Sequence, residues 1–345
     1  MIQGEYSGDR PPLWFKTGMS PARVPRTLVL SDLHLGRPGG AGRADAFESL
    51  LEDFDRVIVN GDIAELHHAA FQADAALELM RFKDICLTRG IKLDLVAGNH
   101  DPFVSEVRAI SLADGAIYIT HGDAFHPAVA PWSPCAATMR STFATALAAA
   151  PKELPEDAAR FHAAREASIS EWRSMGEGAH VSTLGSMLLH PARAATVLAY
   201  WARYPKFAAE WAARHAPQAG TVIVGHSHRA FVRLESGRQI VNTGSYGFPG
   251  RPHAVVIEGS TVRVHAIASR GGFYALSSNP KAAWPIAFHA DGARRPAARS
   301  EQDPVRAQPG GGAEPSGAAG PSGAAGSSGA AGPSTPAMNR AASAS

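Results

Sequence analysis

Five short polar motifs, each placed directly after an apolar run, constrain the fold of this chain more than any other feature. The apolar runs have the length and composition of buried strands. In chain order the motifs are Asp32-x-His34, Gly61-Asp62, Gly98-Asn99-His100-Asp101, His121-Gly122 and Gly225-His226-x-His228. Loops that leave the ends of strands hold reactive side chains on a rigid scaffold. We therefore expect one site assembled from five separated segments.

The runs between these motifs predict an α/β protein built in layers. Apolar stretches predict strands at 27–30, 57–59, 93–96, 116–120, 221–224, 238–243, 254–258 and 261–268. Helical spacing of apolar residues predicts helices at 43–54 and 69–88. Strand and helix units come first and a run of strands comes last.

An alanine-rich stretch from 124 to 218 interrupts this pattern and is cut by prolines into several helices. It is too long for a loop, so it is predicted to be a helical cap inserted between two strands. The predicted organisation is an N-terminal arm at 1–25, a body at 26–123 and 219–290, the cap at 124–218, and a disordered tail rich in Pro, Ser, Gly and Ala at 291–345.

Composition excludes several classes of protein. The net charge of +2 gives no basic excess for binding nucleic acid. Cys86 and Cys135 lack C-x-x-C spacing, which excludes a disulfide framework or a thiolate metal site and suggests a reducing compartment. Neither an apolar leader nor a run long enough to span a bilayer is present. We therefore expect a cytoplasmic protein without a transmembrane segment.

Carboxylate, imidazole and amide donors together form a mixed oxygen and nitrogen ligand set. That set suits divalent cations such as Mn²⁺, Fe²⁺, Zn²⁺ or Co²⁺. If the motifs are extended, the side chains of Asp32 and His34 share a face, and so do those of His226 and His228. The candidate ligands are Asp32, His34, Asp62, Asn99, His121, His226 and His228. Seven ligands exceed one tetrahedral ion and fit two ions with a shared carboxylate.

Each of these residues also has an ordinary structural interpretation. Asp32 and Asp62 could cap helices, Asn99 could be a turn residue, and a single histidine such as His121 is more often structural. All of these interpretations must hold together to displace the metal site. For Arg37, which flanks the first motif, phosphate contact and a solvated surface position both remain open.

The five motifs, in this order, resemble those of the calcineurin-like metallophosphoesterase family. The resemblance covers about 27–265, apart from most of the insertion, and implies a four-layer β-sandwich flanked by helices with an inserted helical cap. It implies a first metal bound by Asp32, His34, Asp62 and His228 and a second bound by Asp62, Asn99, His121 and His226. It also implies that His100 is the catalytic residue near the leaving group, with Asp101 beside it.

The implied activity is hydrolysis of a phosphodiester, phosphomonoester or pyrophosphate bond. Two metal ions, with Mn²⁺ the expected metal, would be held by these ligands, and a hydroxide bridging them would attack phosphorus. His100 would donate a proton to the departing oxygen. Asp101 would orient the imidazole and favour its charged form.

The substrate is expected to be a small-molecule or lipid-linked phosphate. Ser31-Asp32-Leu33-His34-Leu35, His121-Gly122-Asp123 and the insertion resemble the UDP-2,3-diacylglucosamine pyrophosphatase branch, although His100 stands where that branch carries arginine. In that interpretation the cap holds acyl chains and contacts a membrane surface; alternatively its tryptophans form the cap's own core. A protein phosphatase and a non-catalytic metal-binding scaffold remain open.

Overall fold

The computed structural model describes residues 24–174, 191–247 and 250–290. Within these ranges the strands are β1 (Arg26–Leu30), β2 (Arg56–Asn60), β3 (Lys92–Val96), β4 (Ala109–Leu112), β5 (Ile117–Thr120), β6 (Thr221–Val224), β7 (Phe231–Glu235), β8 (Arg238–Asn242), β9 (His253–Glu258), β10 (Thr261–Arg270), β11 (Phe273–Leu276) and β12 (Ala282–Pro285). The α-helices are α1 (Glu48–Leu51), α2 (Gln72–Thr88), α3 (Ala136–Ala149), α4 (Glu156–Ser174) and α5 (Pro191–His215). Short 3₁₀ helices occupy Ala44–Phe47 and Asp123–Phe125.

The strands form two sheets. The first has the order β11-β10-β9-β1-β2-β3, and β12 also pairs with β10. The second has the order β4-β5-β6-β8-β7. Parallel pairing joins β1 to β2 and β2 to β3 in the first sheet, and β5 to β6 and β6 to β8 in the second. The carboxyl ends of these parallel strands, where the polar motifs begin, therefore lie along one edge of each sheet.

Successive side chains of the central strands point to opposite faces of each sheet, and the interior is therefore divided into three apolar cores. Val29 and Ile58 lie in the core between the two sheets, together with Ile119 and Ile223. The residues that flank Val29 and Ile58 in the chain point to the other face of the first sheet, where they pack against α1 and α2. A continuous apolar strand with both faces buried is typical of a parallel sheet covered on both sides. The predicted four-layer α/β fold is confirmed.

The helical insertion lies between β5 and β6, where it was expected. Its described helices pack on the outer face of the second sheet, and Trp211 and Tyr204 share a core with Tyr118 and Val222. The indole N–H of Trp211 donates to the hydroxyl of Tyr118 at 3.2 Å. The insertion therefore supplies the fourth layer of the fold, and Trp211 is a core residue of that layer.

Several local predictions need correction. The predicted helix over 43–54 is a 3₁₀ helix followed by the single turn of α1, and α2 begins at Gln72 rather than at 69. Strands β4, β7, β11 and β12, each of four or five residues, were not predicted; β4 and β7 interleave apolar with polar residues. Residues 1–23 of the expected arm at 1–25, residues 175–190 of the cap and the whole tail at 291–345 lie outside the described residues.

Neither cysteine forms a disulfide. Among the described residues, the helices are too short or too polar for any of them to cross a bilayer.

Phe82 on α2 is fully buried in the core between the first sheet and its covering helices. We therefore expect its truncation to lower the stability of the protein strongly. Replacing Phe82 with alanine should lower the free energy of unfolding by about 3–5 kcal/mol, because it leaves a cavity. Leu87, on the same helix, is 77% exposed, and its replacement by alanine should change stability by no more than about 0.5 kcal/mol. Urea unfolding of both variants tests this; equal losses would contradict the described packing.

Candidate metal centre

The loops that follow β1 and β2 run side by side. The backbone N–H of Asp32 donates to the carbonyl of Gly61 at 3.1 Å, and that of His34 donates to the carbonyl of Asp62 at 3.0 Å. These bonds continue the pairing of the two strands beyond their ends. The first two motifs are therefore held against each other by backbone contacts.

Five of the candidate ligands have a left-handed backbone. The φ angles of Asp32, His34, Asp62, His226 and His228 lie between 48° and 65°. Aspartate and histidine enter this region more readily than most residues, but each instance costs roughly 1–3 kcal/mol. The expectation that these motifs are extended was wrong: their side chains converge because the backbone turns sharply at each ligand.

Glycine is required where the motifs pass one another. A Cβ atom on Gly61 would lie 2.3 Å from the ring of His121, and one on Gly98 would lie 2.1 Å from the carboxylate of Asp62. A side chain at either position would therefore displace a candidate ligand.

One group of candidate ligands, which we name the first donor cluster, comprises Asp32, His34, Asp62 and His228. Their donor atoms all lie within 4.8 Å of one another. Nε2 of His34 is 3.1 Å from Nε2 of His228, which in turn is 3.3 Å from Oδ1 of Asp32. The four side chains match the ligand set that the family resemblance implied for one metal.

The second donor cluster comprises Asp62, Asn99, His121 and His226. Oδ2 of Asp62 is 3.2 Å from Nε2 of His121, and Oδ1 of Asn99 is 2.8 Å from Nδ1 of His226. All seven predicted ligands thus lie in the two clusters, and only Asp62 belongs to both.

Three of the candidate histidine ligands are oriented by a hydrogen bond from the ring nitrogen that faces away from the donor clusters, which we call the outer nitrogen. Nδ1 of His34 contacts Glu65 at 3.0 Å, Nδ1 of His121 contacts the carbonyl of Asn60 at 2.9 Å, and Nε2 of His226 contacts the carbonyl of Val129 at 2.9 Å. Each outer nitrogen donates to its oxygen, so the other nitrogen of the neutral ring presents its lone pair inward.

The orientation of these groups fits a pair of divalent cations. Oδ2 of Asp62 is buried and accepts no hydrogen bond from the described residues. It lies 3.9 Å from Nε2 of His34 in the first cluster and 3.2 Å from Nε2 of His121 in the second. Buried acceptors that face one another need positive charge between them, and mixed oxygen and nitrogen donors suit borderline divalent metals.

The pKa shifts show the same need for positive charge. Burial opposes ionisation of Asp62, but the charges of His121 and His100 hold its pKa well below the usual value. Burial opposes protonation of His121, but Asp62 raises the pKa of that ring to about 10. Metal binding would therefore displace protons from the cluster.

The environment of His100 corrects one expectation. Its Nδ1 contacts Oε1 of Glu65 at 2.6 Å. The carboxylate of Asp101 instead accepts backbone N–H groups, from Gly98 at 2.8 Å and from Ile63 at 2.6 Å. Asp101 therefore fixes the loops, and the prediction that it orients His100 was wrong, because neighbours in sequence point apart here.

Sequence reasoning missed Glu65 as a member of the site. Its side chain is almost fully buried, and Oε2 contacts Nδ1 of His34 at 3.0 Å and the guanidinium of Arg37 at 3.2 Å. One carboxylate thus touches a first-cluster ligand and His100. The signal was available: Glu65 is a lone acid three residues after Asp62, beside two apolar residues.

The helical insertion contacts the site at two places. Val129, whose carbonyl accepts from His226, has a φ of 53°, which is unusual for a β-branched residue. On α4, the Trp172 ring stacks on His67 at 4.8 Å, and His67 lies 4.4 Å from the ring of His100. The insertion therefore helps to shape the site.

Comparison with known families identifies the chain. Residues 25–230 match the family described as Calcineurin-like phosphoesterase. The chain belongs to this family. It is accordingly a metal-dependent phosphoesterase with a buried histidine and aspartate centre.

Solved structures similar to this phosphoesterase include Vps29 from Entamoeba histolytica, at 12% identity with a TM-score of 0.38, covering 74% of this chain and 99% of that one. A dimetal phosphatase from Danio rerio matches at 12% identity with a TM-score of 0.39, covering 77% and 99%. The phosphoesterase Yfce from E. coli matches at 13% identity with a TM-score of 0.34, covering 76% and 99%. No curated protein sequence matches the chain.

The close approach at Gly61 predicts a specific loss of metal binding. Gly61 and Gly42 have φ angles of 80° and 77°, but nothing lies within 4 Å of a Cβ at Gly42. Alanine at either position should cost about 1–2 kcal/mol of stability, since both positions are left-handed. Only Gly61→Ala should weaken Mn²⁺ binding, by about tenfold or more, because the new Cβ displaces His121.

Isothermal titration with Mn²⁺ and urea unfolding, applied to both variants, separate the two effects. Equal Mn²⁺ affinity in Gly61→Ala and Gly42→Ala would contradict the placement of His121 in the second donor cluster.

Proposed function

We propose that this phosphoesterase hydrolyses a phosphomonoester, phosphodiester or pyrophosphate bond at a centre of two divalent metals. The first donor cluster would hold one metal, the second would hold the other, and Asp62 would bridge them. The observation that carries this proposal is the buried Oδ2 of Asp62, which lies between both clusters without a hydrogen bond from the described residues.

Bound divalent cations would lower the pKa of a water molecule and neutralise charge on the phosphoryl group. We propose Mn²⁺, with Fe²⁺, Zn²⁺ and Co²⁺ as alternatives, because the donors are carboxylate, amide and imidazole. The protein contributes a preorganised set of ligands, since hydrogen-bond partners fix the ring orientations of His34, His121 and His226 before a metal binds.

His100 is proposed as the group that protonates the leaving oxygen. Burial opposes its charged form, but Glu65 and Asp62 raise the pKa of its imidazole to about 9. The ring is therefore protonated at neutral pH and can donate a proton. Glu65 would orient the ring through Nδ1, which leaves Nε2 as the donor.

The surroundings favour a small or lipid-linked substrate over a folded phosphoprotein. Trp132 lies 5.1 Å from the ring of His226, and Trp172 lies on the side of His100. Large rings from the insertion thus stand on two sides of the candidate ligands. Phe103, 58% exposed and 5.9 Å from Trp172, offers apolar contact that would suit the acyl part of a lipid-linked substrate, such as the UDP-linked sugar lipid that the family resemblance suggested.

Metal removal provides the simplest test. Treatment with EDTA should abolish hydrolysis of bis-p-nitrophenyl phosphate, and added Mn²⁺ should restore it, because the cations supply the charge that the clusters lack. A panel of phosphomonoesters, phosphodiesters, UDP-linked pyrophosphates and phosphopeptides would then identify the substrate class. Turnover restricted to phosphopeptides would favour a protein phosphatase, and metal binding without any turnover would favour a scaffold.

The role of His100 predicts a dependence on the leaving group. His100→Ala should lower kcat by about 10²–10⁴-fold for an alkyl leaving group, which needs a proton. The loss should be much smaller for p-nitrophenolate, which departs without one. His162→Ala, an exposed histidine on α4, is the matched control and should leave kcat unchanged.

The pH profile gives an independent readout. In the wild type, kcat for the alkyl ester should fall as the pH rises through about 9, because His100 loses its proton there. The His100→Ala variant should not show this alkaline limb of the pH profile. Equal losses for both leaving groups, with the limb retained, would contradict the assignment.

A further inference from the structure

We propose that the helical insertion carries a second anion-binding site, formed by Arg140, Arg160 and Arg203 around His126, which binds a phosphate or pyrophosphate group. We name these four residues the arginine cluster. Its use as a subsite for a second anionic group of the substrate rests on the proposed function. Binding of the anion itself does not depend on the proposed function.

Ring contacts bring three parts of the insertion to one place. The ring of Phe207, on α5, lies 6.1 Å from that of His126 and carries the guanidinium of Arg203 at 5.5 Å from its centre. On α4, Arg160 donates to the carbonyl of Ala124 at 3.4 Å, two residues before His126.

Helix α3 contributes the third arginine. The guanidinium of Arg160 lies 5.6 Å from the centre of the Phe143 ring. Arg140 precedes Phe143 by three residues on the same helix, and residues at this spacing are neighbours on a helix surface. The cations of α3, α4 and α5 therefore converge.

These arginines differ from their neighbours in forming no ion pair with the described residues, although Arg160 is also acted on by the charge of Glu156. Among residues 24–174, 191–247 and 250–290, no carboxylate lies within ion-pair distance of the three guanidinium groups. The neighbouring arginines are each paired, as Arg108 with Asp123, Arg165 with Glu106 and Arg214 with Glu156. Unpaired cations held together repel one another, and a bound oxyanion would offset that repulsion.

The state of His126 agrees with this placement. Burial and the positive charges of Arg140, Arg203 and Arg160 together lower the pKa of its imidazole. All three guanidinium groups are thus close enough to act on one ring.

Tyr200 lies beside the arginine cluster. The hydroxyl of Tyr200 is buried and has no hydrogen-bond partner among the described residues. Its ring lies 5.5 Å from that of His126. Burial and the negative charge of Asp123 both raise the pKa of this hydroxyl, so the charge that acts on it is that of a carboxylate.

The arginine cluster is separated from the metal centre by only two aromatic rings. The ring of Tyr200 lies 5.7 Å from that of Trp132, which lies 5.1 Å from that of His226. One molecule could thus place a phosphoryl group at the metals and a second anionic group among the arginines. We infer that the substrate carries two such groups, either within a soluble molecule or as part of a lipid headgroup.

Calorimetric titration of the full-length protein with inorganic pyrophosphate, in EDTA, tests the binding site apart from the metals. The wild type should bind, and the double variant Arg140→Ala/Arg203→Ala should bind at least about tenfold more weakly. Both side chains are exposed, so their removal should leave the fold intact. Arg233→Ala, an exposed arginine on β7, is the matched control and should bind as the wild type does.

Vesicles of phosphatidic acid in phosphatidylcholine provide a parallel arm. Loss of binding in the double variant with either probe supports the site, and the probe that binds more tightly distinguishes a lipid headgroup from a free phosphate. Equal binding by the double variant and the wild type, or no binding by the wild type to either probe, would overturn the proposal.

Kinetics with Mn²⁺ test the subsite role. In the double variant KM should rise about tenfold for a substrate with a second phosphate and stay unchanged for bis-p-nitrophenyl phosphate. If the protein binds pyrophosphate but hydrolyses none of the substrates, the anion-binding site is supported and the proposed function is refuted. Unchanged KM for both substrates would refute the subsite.

Discussion

The carboxylate of Asp62 is the group on which the arrangement of the site depends. It lies two residues after the end of β2 in the first sheet, and its Oδ2 faces histidines that follow strands of both sheets. Its Oδ1 accepts the backbone N–H of His100 at 2.9 Å, so the same side chain also positions the loop that carries the proposed proton donor. Gly98 lets that loop approach the carboxylate closely. A change at Asp62 would therefore disturb both clusters and His100.

The rest of the fold keeps this unfavourable arrangement in place. Left-handed backbone at five ligands and several charged groups without solvent are each destabilising. Three apolar cores and the hydrogen bonds of Asp101 to the backbone offset these costs. Since the insertion supplies both the outer layer of the second sheet and the carbonyl that fixes His226, it contributes to stability and to the site together.

Much of the site could be predicted from the sequence, because polar residues after buried strands meet where parallel strands end. The candidate ligands follow from that rule, whereas the four-layer sandwich was expected from the family resemblance. Glu65 could be recognised as an acid close to the second motif, but its contacts with His34 and His100 depend on how the loops after β1 and β2 run beside each other. Asp101 was assigned to His100 by adjacency in the chain, yet consecutive side chains point apart. The alanine-rich insertion gave little periodicity, so its packing on the second sheet became clear only in three dimensions.

The central claim is that two cations share Asp62, and anomalous diffraction from crystals grown with Mn²⁺ tests it most directly. We predict two anomalous peaks per chain, one contacting Asp32, His34 and His228, the other contacting Asn99, His121 and His226, and both contacting Oδ2 of Asp62. A single peak, or two peaks of which only one contacts Asp62, would contradict the account.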